Sequence, residues 1–201
     1  MEIKKRRIKE IEEMKQEIIK AAVRLFLAEG YPNVSMRKIA REIDYSATTI
    51  YNYFANKEEI LIHLLKYAYA KFLNSLVDAS KADETVGALE RLKAALHAYI
   101  TFGLQNPDYY QLIFIENLHH LQVAGSKDND RFKGFLLLTD AVTEAMEEGV
   151  LKKDNPALVS QSLWASLHGI TSLLIKFPGF DWCKEEELVS FHVEAMISGM
   201  K

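Results

Sequence analysis

Two short amphipathic patterns stand back to back between Ser35 and Phe54, each opened by a serine and separated only by Asp44-Tyr45. In the first, Met36, Ile39, Ala40 and Ile43 recur at i, i+3, i+4 and i+7, which is one face of a short helix. Ser35 is placed to cap it, its hydroxyl accepting from an N–H that has no partner in the first turn. In the second, capped by Ser46 and expected to run from Ala47 to Phe54, the residues Ala47, Ile50, Tyr51 and Phe54 share one side. Thr48, Thr49, Asn52 and Tyr53 share the other. Two such helices can bury their apolar faces only against each other and a neighbour, as a plain αα-hairpin or as a helix-turn-helix.

The flanking sequence supplies the neighbours. Ile11, Ile18, Ala22, Leu25 and Phe26 mark a long helix from Lys4 to Glu29, stopped by Gly30-Tyr31-Pro32. Asn56-Lys57-Glu58-Glu59 opens another to Ser80, carried by Ile60, Leu61, Leu64, Leu65, Ala68, Phe72 and Leu76. Five further helical patterns follow, over Thr85–Leu104, Pro107–Val123, Asp130–Val150, Pro156–Phe177 and Glu185–Gly199. Loops fall at Asn106-Pro107, Gly125-Ser126-Lys127-Asp128, Asp154-Asn155-Pro156 and Phe177-Pro178-Gly179. With four prolines and nine glycines in 201 residues, and no alternating pattern, the chain is expected to be all-α with about nine helices. The expected architecture is an N-terminal three-helix helix-turn-helix domain, residues 1–57, and a C-terminal helical bundle, residues 58–201. The helix over 57–80 connects them.

The outer face of the second short helix points to contact rather than to solvation. Threonine is a poor helix former, and a surface helix gains nothing from a cluster of hydroxyls, an amide and a phenol. A helix-turn-helix lets one helix brace on the DNA backbone while the next enters a major groove about 12 Å wide. Thr48, Thr49, Asn52 and Tyr53 are then placed to meet base edges or phosphates. Ser35 and Arg37 can reach the flanking backbone, and Lys57 supplies charge to phosphates. The net charge of −3 hides an asymmetry that suits this reading. Residues 1–57 carry twelve Lys and Arg against eight Asp and Glu, and the remainder carry thirteen against twenty.

The run SMRKIAREIDYSATTIYNYFANKEEIL, Ser35 to Leu61, resembles the DNA-binding signature of the TetR family of transcriptional regulators. The similarity extends back through AAVRLFLAEGYPNVS, Ala21 to Ser35. The resemblance implies that Ser35 and Arg37 contact the DNA backbone and that Thr48, Thr49, Asn52 and Tyr53 face the groove. It further implies that Tyr51 and Lys57 clamp phosphates. The helical wheel puts Tyr51 on the inner side, so a rim position is expected, ring packed and hydroxyl outward. Asp44 departs from the family, which usually has glycine there; it is expected to hold a left-handed conformation at some cost. Lys4-Lys5-Arg6-Arg7 reads either as an arm toward an adjacent minor groove or as a solvated helix start alternating with Glu10, Glu12 and Glu13.

Downstream, LWASLHGITSLL from Leu163 and YITFGLQNPDYYQLIF from Tyr99 resemble a TetR subgroup marked by Trp-x-x-x-His-Gly. This resemblance implies a helical domain for ligand binding and dimerisation. Trp164 and His168 share a helix face beside the small Gly169, and His168 is either a polar group in a ligand pocket or a satisfied core or interface histidine. Tyr99, Phe102, Tyr110, Phe114, Trp164 and His168 are the candidate ligand residues, among aromatics that mostly build core. The expected partners are double-stranded operator DNA, a small and largely apolar effector, and a second copy joined through helices 156–177 and 185–199. A DNA-binding factor without a small ligand, acting through protein partners, is the alternative.

Other function classes find no residues to carry them. His119-His120 point about 100° apart on a helix, and neither HxxxH nor HExxH occurs. No nucleophile elbow or phosphate-cradling glycine loop is present, so neither catalysis nor a cofactor is expected. Cys183, the single cysteine, excludes an intrachain disulfide and reads as a small, partly buried side chain. The charged start MEIKKRRIK and the absence of an uninterrupted apolar run of ~18 residues point to a cytoplasmic protein without a membrane span.

Overall fold

Ser35, Ser46, Asn56 and Asn155 each start a helix at an expected boundary. A computed structural model describes residues 2–81, 86–116 and 130–201. Among them the secondary structure is helical, with nine α-helices and no strand: α1 Glu2–Glu29, α2 Met36–Glu42, α3 Ala47–Tyr51, α4 Lys57–Lys81 and α5 Ala88–Gln105, then α6 Pro107–Tyr110, α7 Asp130–Glu147, α8 Pro156–Lys176 and α9 Glu185–Ser198. Asn155 Oδ1 accepts from Ala157 N at 3.0 Å to cap α8, whose Pro156 needs no acceptor.

The helix expected from Thr85 starts at Ala88, after Gly87, and three other boundaries differ from the expected ones, each for a local reason. The helix expected over Ala47–Phe54 ends at Tyr51, because the last turn tightens: Asn52 N–H bonds Thr49 O at 3.1 Å and Tyr53 N–H bonds Ile50 O at 2.9 Å. The helix expected over Pro107–Val123 is α6 followed by a π-turn, Gln111–Ile115, closed by Glu116 N–H on Gln111 O at 2.8 Å. Glu116 is then extended, which ends the regular spiral; the rest of that pattern, Thr85, the loop Gly125-Ser126-Lys127-Asp128 and His119-His120 lie outside the described residues. The helix expected to reach Val150 stops at Glu147, where Gly149 takes φ 74 and Val150 N–H returns to Ala145 O at 3.1 Å. That Schellman closure needs the left-handed residue that glycine supplies without strain.

The chain divides into two compact units, Met1–Ala68 with Asp108–Ala124, and Tyr69–Pro107 with Gly125–Lys201. In the first, Ile18, Ala22 and Phe26 of α1, Ile39 and Ala40 of α2, Ile50 of α3, Phe54, and Ile60, Leu61 and Leu64 of α4 form one buried cluster that Leu112 joins. Burying a side chain of that size contributes about 1.5–3 kcal/mol, so the short α2 and α3 are held by packing and not by propensity. In the second unit α5, α7 and α8 pack on one another, with α9 against α5. Leu92, Leu96, Ile100, Val142, Leu163, Leu167, Val193 and Ile197 are buried there. α8 is long and apolar enough to cross a membrane by length and composition, yet it buries Ser160 and Thr171, whose hydroxyls donate to the carbonyls of Pro156 and Leu167.

Candidate nucleic-acid interface

The turn between α2 and α3 is fixed by two backbone bonds, Tyr45 N–H to Ala40 O at 2.9 Å and Asp44 N–H to Arg41 O at 3.2 Å. This is again a Schellman closure, and Asp44 occupies its left-handed position with φ 57. The chain thus keeps the expected turn with a residue that pays a steric cost for it. Tyr45 follows, 41% exposed, and then Ser46 starts α3.

Both serine caps form. Ser35 Oγ accepts from Lys38 N at 3.3 Å, and Ser46 Oγ accepts from Thr49 N at 3.1 Å. Ser35 itself and Arg37 are exposed at the start of α2, while Met36, Ile39 and Ala40 are buried beneath them. Arg41 is exposed one turn later. Lys38 pairs with Glu29 and Arg24 with Glu42 at 3.2 Å, so part of the basic face is already neutralised within the unit.

Thr48 on α3 and Asn52 at its C-cap are exposed and Ile50 is fully buried, as the two faces require. Thr49 is half-buried, its Oγ1 2.9 Å from Ser46 Oγ. The two tyrosines divide differently from the helical wheel. Tyr51, set inward by the wheel, is 54% exposed, whereas Tyr53, set outward, is half-buried against the core cluster. A wheel assumes 100° per residue, and Tyr53 lies past the end of α3, where that geometry no longer holds; Tyr51 lies within the helix, and its side there is left uncovered. Thr48 and Tyr51 of α3 and its C-cap Asn52 therefore form the exposed surface, with Tyr45 beside them in sequence as an exposed aromatic that the helical pattern did not single out.

Lys57, expected to supply charge to phosphates, is held here by backbone carbonyls. Its Nζ donates to the carbonyls of Tyr31 at 2.8 Å, Val34 at 2.9 Å and Pro32 at 3.2 Å, and lies 4.4 Å from the Tyr31 ring centroid. Burial lowers its pKa, while burial first and then the charge of Glu58 raise that of Tyr31. Carbonyl acceptors belong to every residue, which is why this contact left no mark in the sequence. The basic N-terminal stretch lies on α1, with Arg6 paired to Glu10 at 2.8 Å and Lys9 to Glu13 at 3.6 Å, the pattern of a solvated helix start.

Four of the six candidate ligand residues gather in the second unit. Trp164 Nε1 donates to Tyr99 Oη at 3.3 Å, and that hydroxyl is 3.5 Å from His168 Nδ1. Phe72 stacks edge-on with Tyr99 at 5.5 Å and Phe102 at 5.1 Å, and Phe135 lies 5.8 Å from Trp164. Burial pushes the His168 pKa down, so the neutral imidazole is favoured. Tyr110 and Phe114 belong to the first unit, where their rings lie 5.0 Å apart. A groove of 210 Å³ beside α5 and α9 is lined by His97, Thr101, Gln105, Glu185, Glu186 and Ser190 among others, and by none of the six. Cys183, expected to be partly buried, is exposed in the loop before α9. No group of three metal-ligating side chains occurs among the described residues.

Comparison with known proteins matches residues 18–64 to a model of bacterial regulatory proteins of the tetR family. Residues 92–196 match a tetracyclin repressor-like C-terminal domain. A fatty acid metabolism regulator protein of Bacillus subtilis is 32% identical over 141 residues, 68% of this chain and 70% of that protein. The HTH-type transcriptional repressor NicS of Pseudomonas putida is 29% identical over 127 residues, 62% of this chain and 58% of its own. Among solved structures, the fatty acid degradation regulator FadR from Bacillus halodurans superposes with a TM-score of 0.72 at 24% identity, over 91% of this chain and 94% of that one.

Proposed function

The chain belongs to the TetR family of bacterial regulatory proteins, DNA-binding transcriptional regulators that act as dimers and are not enzymes, and from that premise we propose that it is a cytoplasmic repressor released from its operator by a small ligand. One observation carries the reading of DNA through α3: a five-residue helix, capped by Ser46 and anchored by Ile50, that leaves Thr48, Tyr51 and the C-cap Asn52 exposed. In this reading Thr48 and Asn52 meet base edges. Tyr51 reaches a phosphate with its hydroxyl, and Ser35 and Arg37 hold the flanking backbone. Thr49 and Tyr53 border the contact, Thr49 through its tie to the cap and Tyr53 with its phenol edge. Residues 1–57 form the reading head and residues 58–201 the body that senses and dimerises.

The effector is small and largely apolar. The aromatic group of Phe72, Tyr99, Phe102 and Trp164, with His168 as a neutral hydrogen-bonding partner, suits such a ligand and accords with the Trp-x-x-x-His-Gly subgroup. The identity with a regulator of fatty acid metabolism favours an acyl chain as its apolar part. The second copy docks on α8 and α9. Only 28% of the most apolar stretch of α8 is buried within the protomer, and Leu158 and Leu173 are exposed on that helix, as are Phe177 at its C-cap and Phe191 on α9. A Cβ added at Gly169 would meet no atom of the protomer within 4 Å, which leaves room for a close helix.

Repression is operator occupancy, and the ligand favours a body conformation whose two heads no longer match the half-sites. Coupling runs along α4, an unbroken helix over Lys57–Lys81. Linkage requires that ligand and operator weaken each other by one factor. Titration of the operator complex with fatty acids and acyl thioesters of graded length tests this. Displacement by one class, with a matching rise in thermal midpoint of the free protein, is expected. Operator binding that no such ligand alters, with no shift in midpoint, would leave a DNA-binding factor without this effector.

A further inference from the structure

Gly30 reverses the chain after α1 with φ 79, and Tyr31–Asn33 then makes one turn of 3-10 helix. Val34 is extended, with φ −93 and ψ 139, and hands the chain to the Ser35 cap of α2. Within the turn, Asn33 N–H bonds Gly30 O at 3.1 Å and Val34 N–H bonds Tyr31 O at 3.3 Å. The carbonyls of Tyr31, Pro32 and Val34 converge on one point, and that point is Lys57 Nζ at 2.8, 3.2 and 2.9 Å.

An ammonium has three N–H donors and no acceptor. Three carbonyls use all three, and the Tyr31 ring covers the group at 4.4 Å. With three carbonyls within 3.2 Å of the ammonium, a phosphate would have to displace one of them. The lowered pKa of Lys57 has burial as its cause, which accords with a group held inside the turn. Lys57 is also the first residue of α4, so the same side chain fastens the α1–α2 turn to the start of that helix.

The geometry points to Lys57 as a positioning residue for DNA recognition: its ammonium sets the course of the Tyr31–Val34 turn into the Ser35 cap, and so the place of Ser35 and Arg37, without itself binding phosphate. This rests on the DNA-reading head described above. Chemistry separates Lys57 from its nearest substitutes. Arginine keeps the charge, but its planar fork does not present three donors to three converging carbonyls, whereas it serves a phosphate at least as well as lysine.

The test uses the full chain and the duplex that the wild type selects, with affinities measured across a range of salt. Lys57→Met and Lys57→Arg are both expected to weaken binding about tenfold. Neither is expected to change the slope of log affinity against log salt. A slope that falls by about 0.9 in Lys57→Met, with Lys57→Arg near wild type, would make Lys57 a phosphate ligand and overturn the inference. Unchanged affinity in both variants would also overturn it. Amide hydrogen exchange on the free protein supplies a readout that needs no DNA: faster exchange at Asn33 and Val34 in Lys57→Met, with Tyr53 and Phe54 unchanged, is expected. Equal exchange at all four would refute the clamp. Failure of the wild type to select any duplex would instead refute the reading head, while the exchange result still decides on the clamp.

Discussion

Ser46 Oγ and Thr49 Oγ1 stand 2.9 Å apart, so the second threonine of α3 has its hydroxyl tied into the helix cap while the first, Thr48, is exposed. Neighbours in sequence and alike in chemistry, they are expected to fail differently. Thr49→Ala removes the hydroxyl pair and lowers stability by about 1 kcal/mol. Thr48→Ala leaves the thermal midpoint near wild type and costs about 1–3 kcal/mol at the operator, concentrated on one base position. Parallel melts and titrations on matched and mutated duplexes distinguish the two.

Asp44 holds a left-handed conformation, φ 57, in a turn whose two backbone bonds are complete. Asp44→Gly keeps those bonds and removes the clash of Cβ with the following carbonyl. Urea unfolding should show a gain of about 1 kcal/mol, and Asp44→Ala, which keeps the Cβ, should show none.

The α2–α3 region was legible because its signals are local. Ser35 and Ser46 cap as expected, Gly30 ends α1, and Asp44 turns left-handed. What escaped were features set by tertiary contacts or by carbonyls. The inward turn of Tyr53 follows from the chain leaving helical geometry after Tyr51, and the exposure of Tyr51 from which side of α3 the core covers. The π-turn at Gln111–Ile115 places Leu112 and Ile113 inside together, which no 3.6-residue pattern marks. The end of α7 was readable in principle, since Gly149 is a glycine just past a helix and accounts for the stop at Glu147. Lys57 reads in the sequence as a surface charge, and only the fold brings three carbonyls to it.

Acid should weaken the second unit through His97 and His168. Burial is the main cause that holds both below the ordinary histidine value of 6.5; at His97 the charge of Glu194 opposes the shift and that of Lys93 adds to it. The folded state therefore binds a proton less readily than the unfolded chain. Stability from these groups is present above about 6.5 and is lost as pH falls below it toward the folded pKa values. Thermal midpoints should drop between about pH 7.5 and about pH 5.5, and His168→Gln should shallow that drop. An unchanged slope in His168→Gln and in His97→Gln would contradict the assignment.

Leu173 on α8 and Phe191 on α9 are 47% and 73% exposed in the protomer, a poor use of large apolar side chains unless a second copy covers them. Leu173→Glu with Phe191→Glu should give a folded monomer by light scattering and far weaker operator binding. Retention of the dimer would move the interface elsewhere.

The central claim, that α3 reads DNA sequence through Thr48 and Asn52, is tested most directly by selecting duplexes from a random pool with the purified protein and with the Thr48→Ala, Asn52→Ala double variant. The wild type is expected to enrich a two-fold symmetric sequence whose half-sites are spaced for two recognition helices, about 34 Å or a multiple apart, and the double variant to lose preference at the inner positions of each half-site. Enrichment of the same sequence by both proteins, or of none by the wild type, would contradict it.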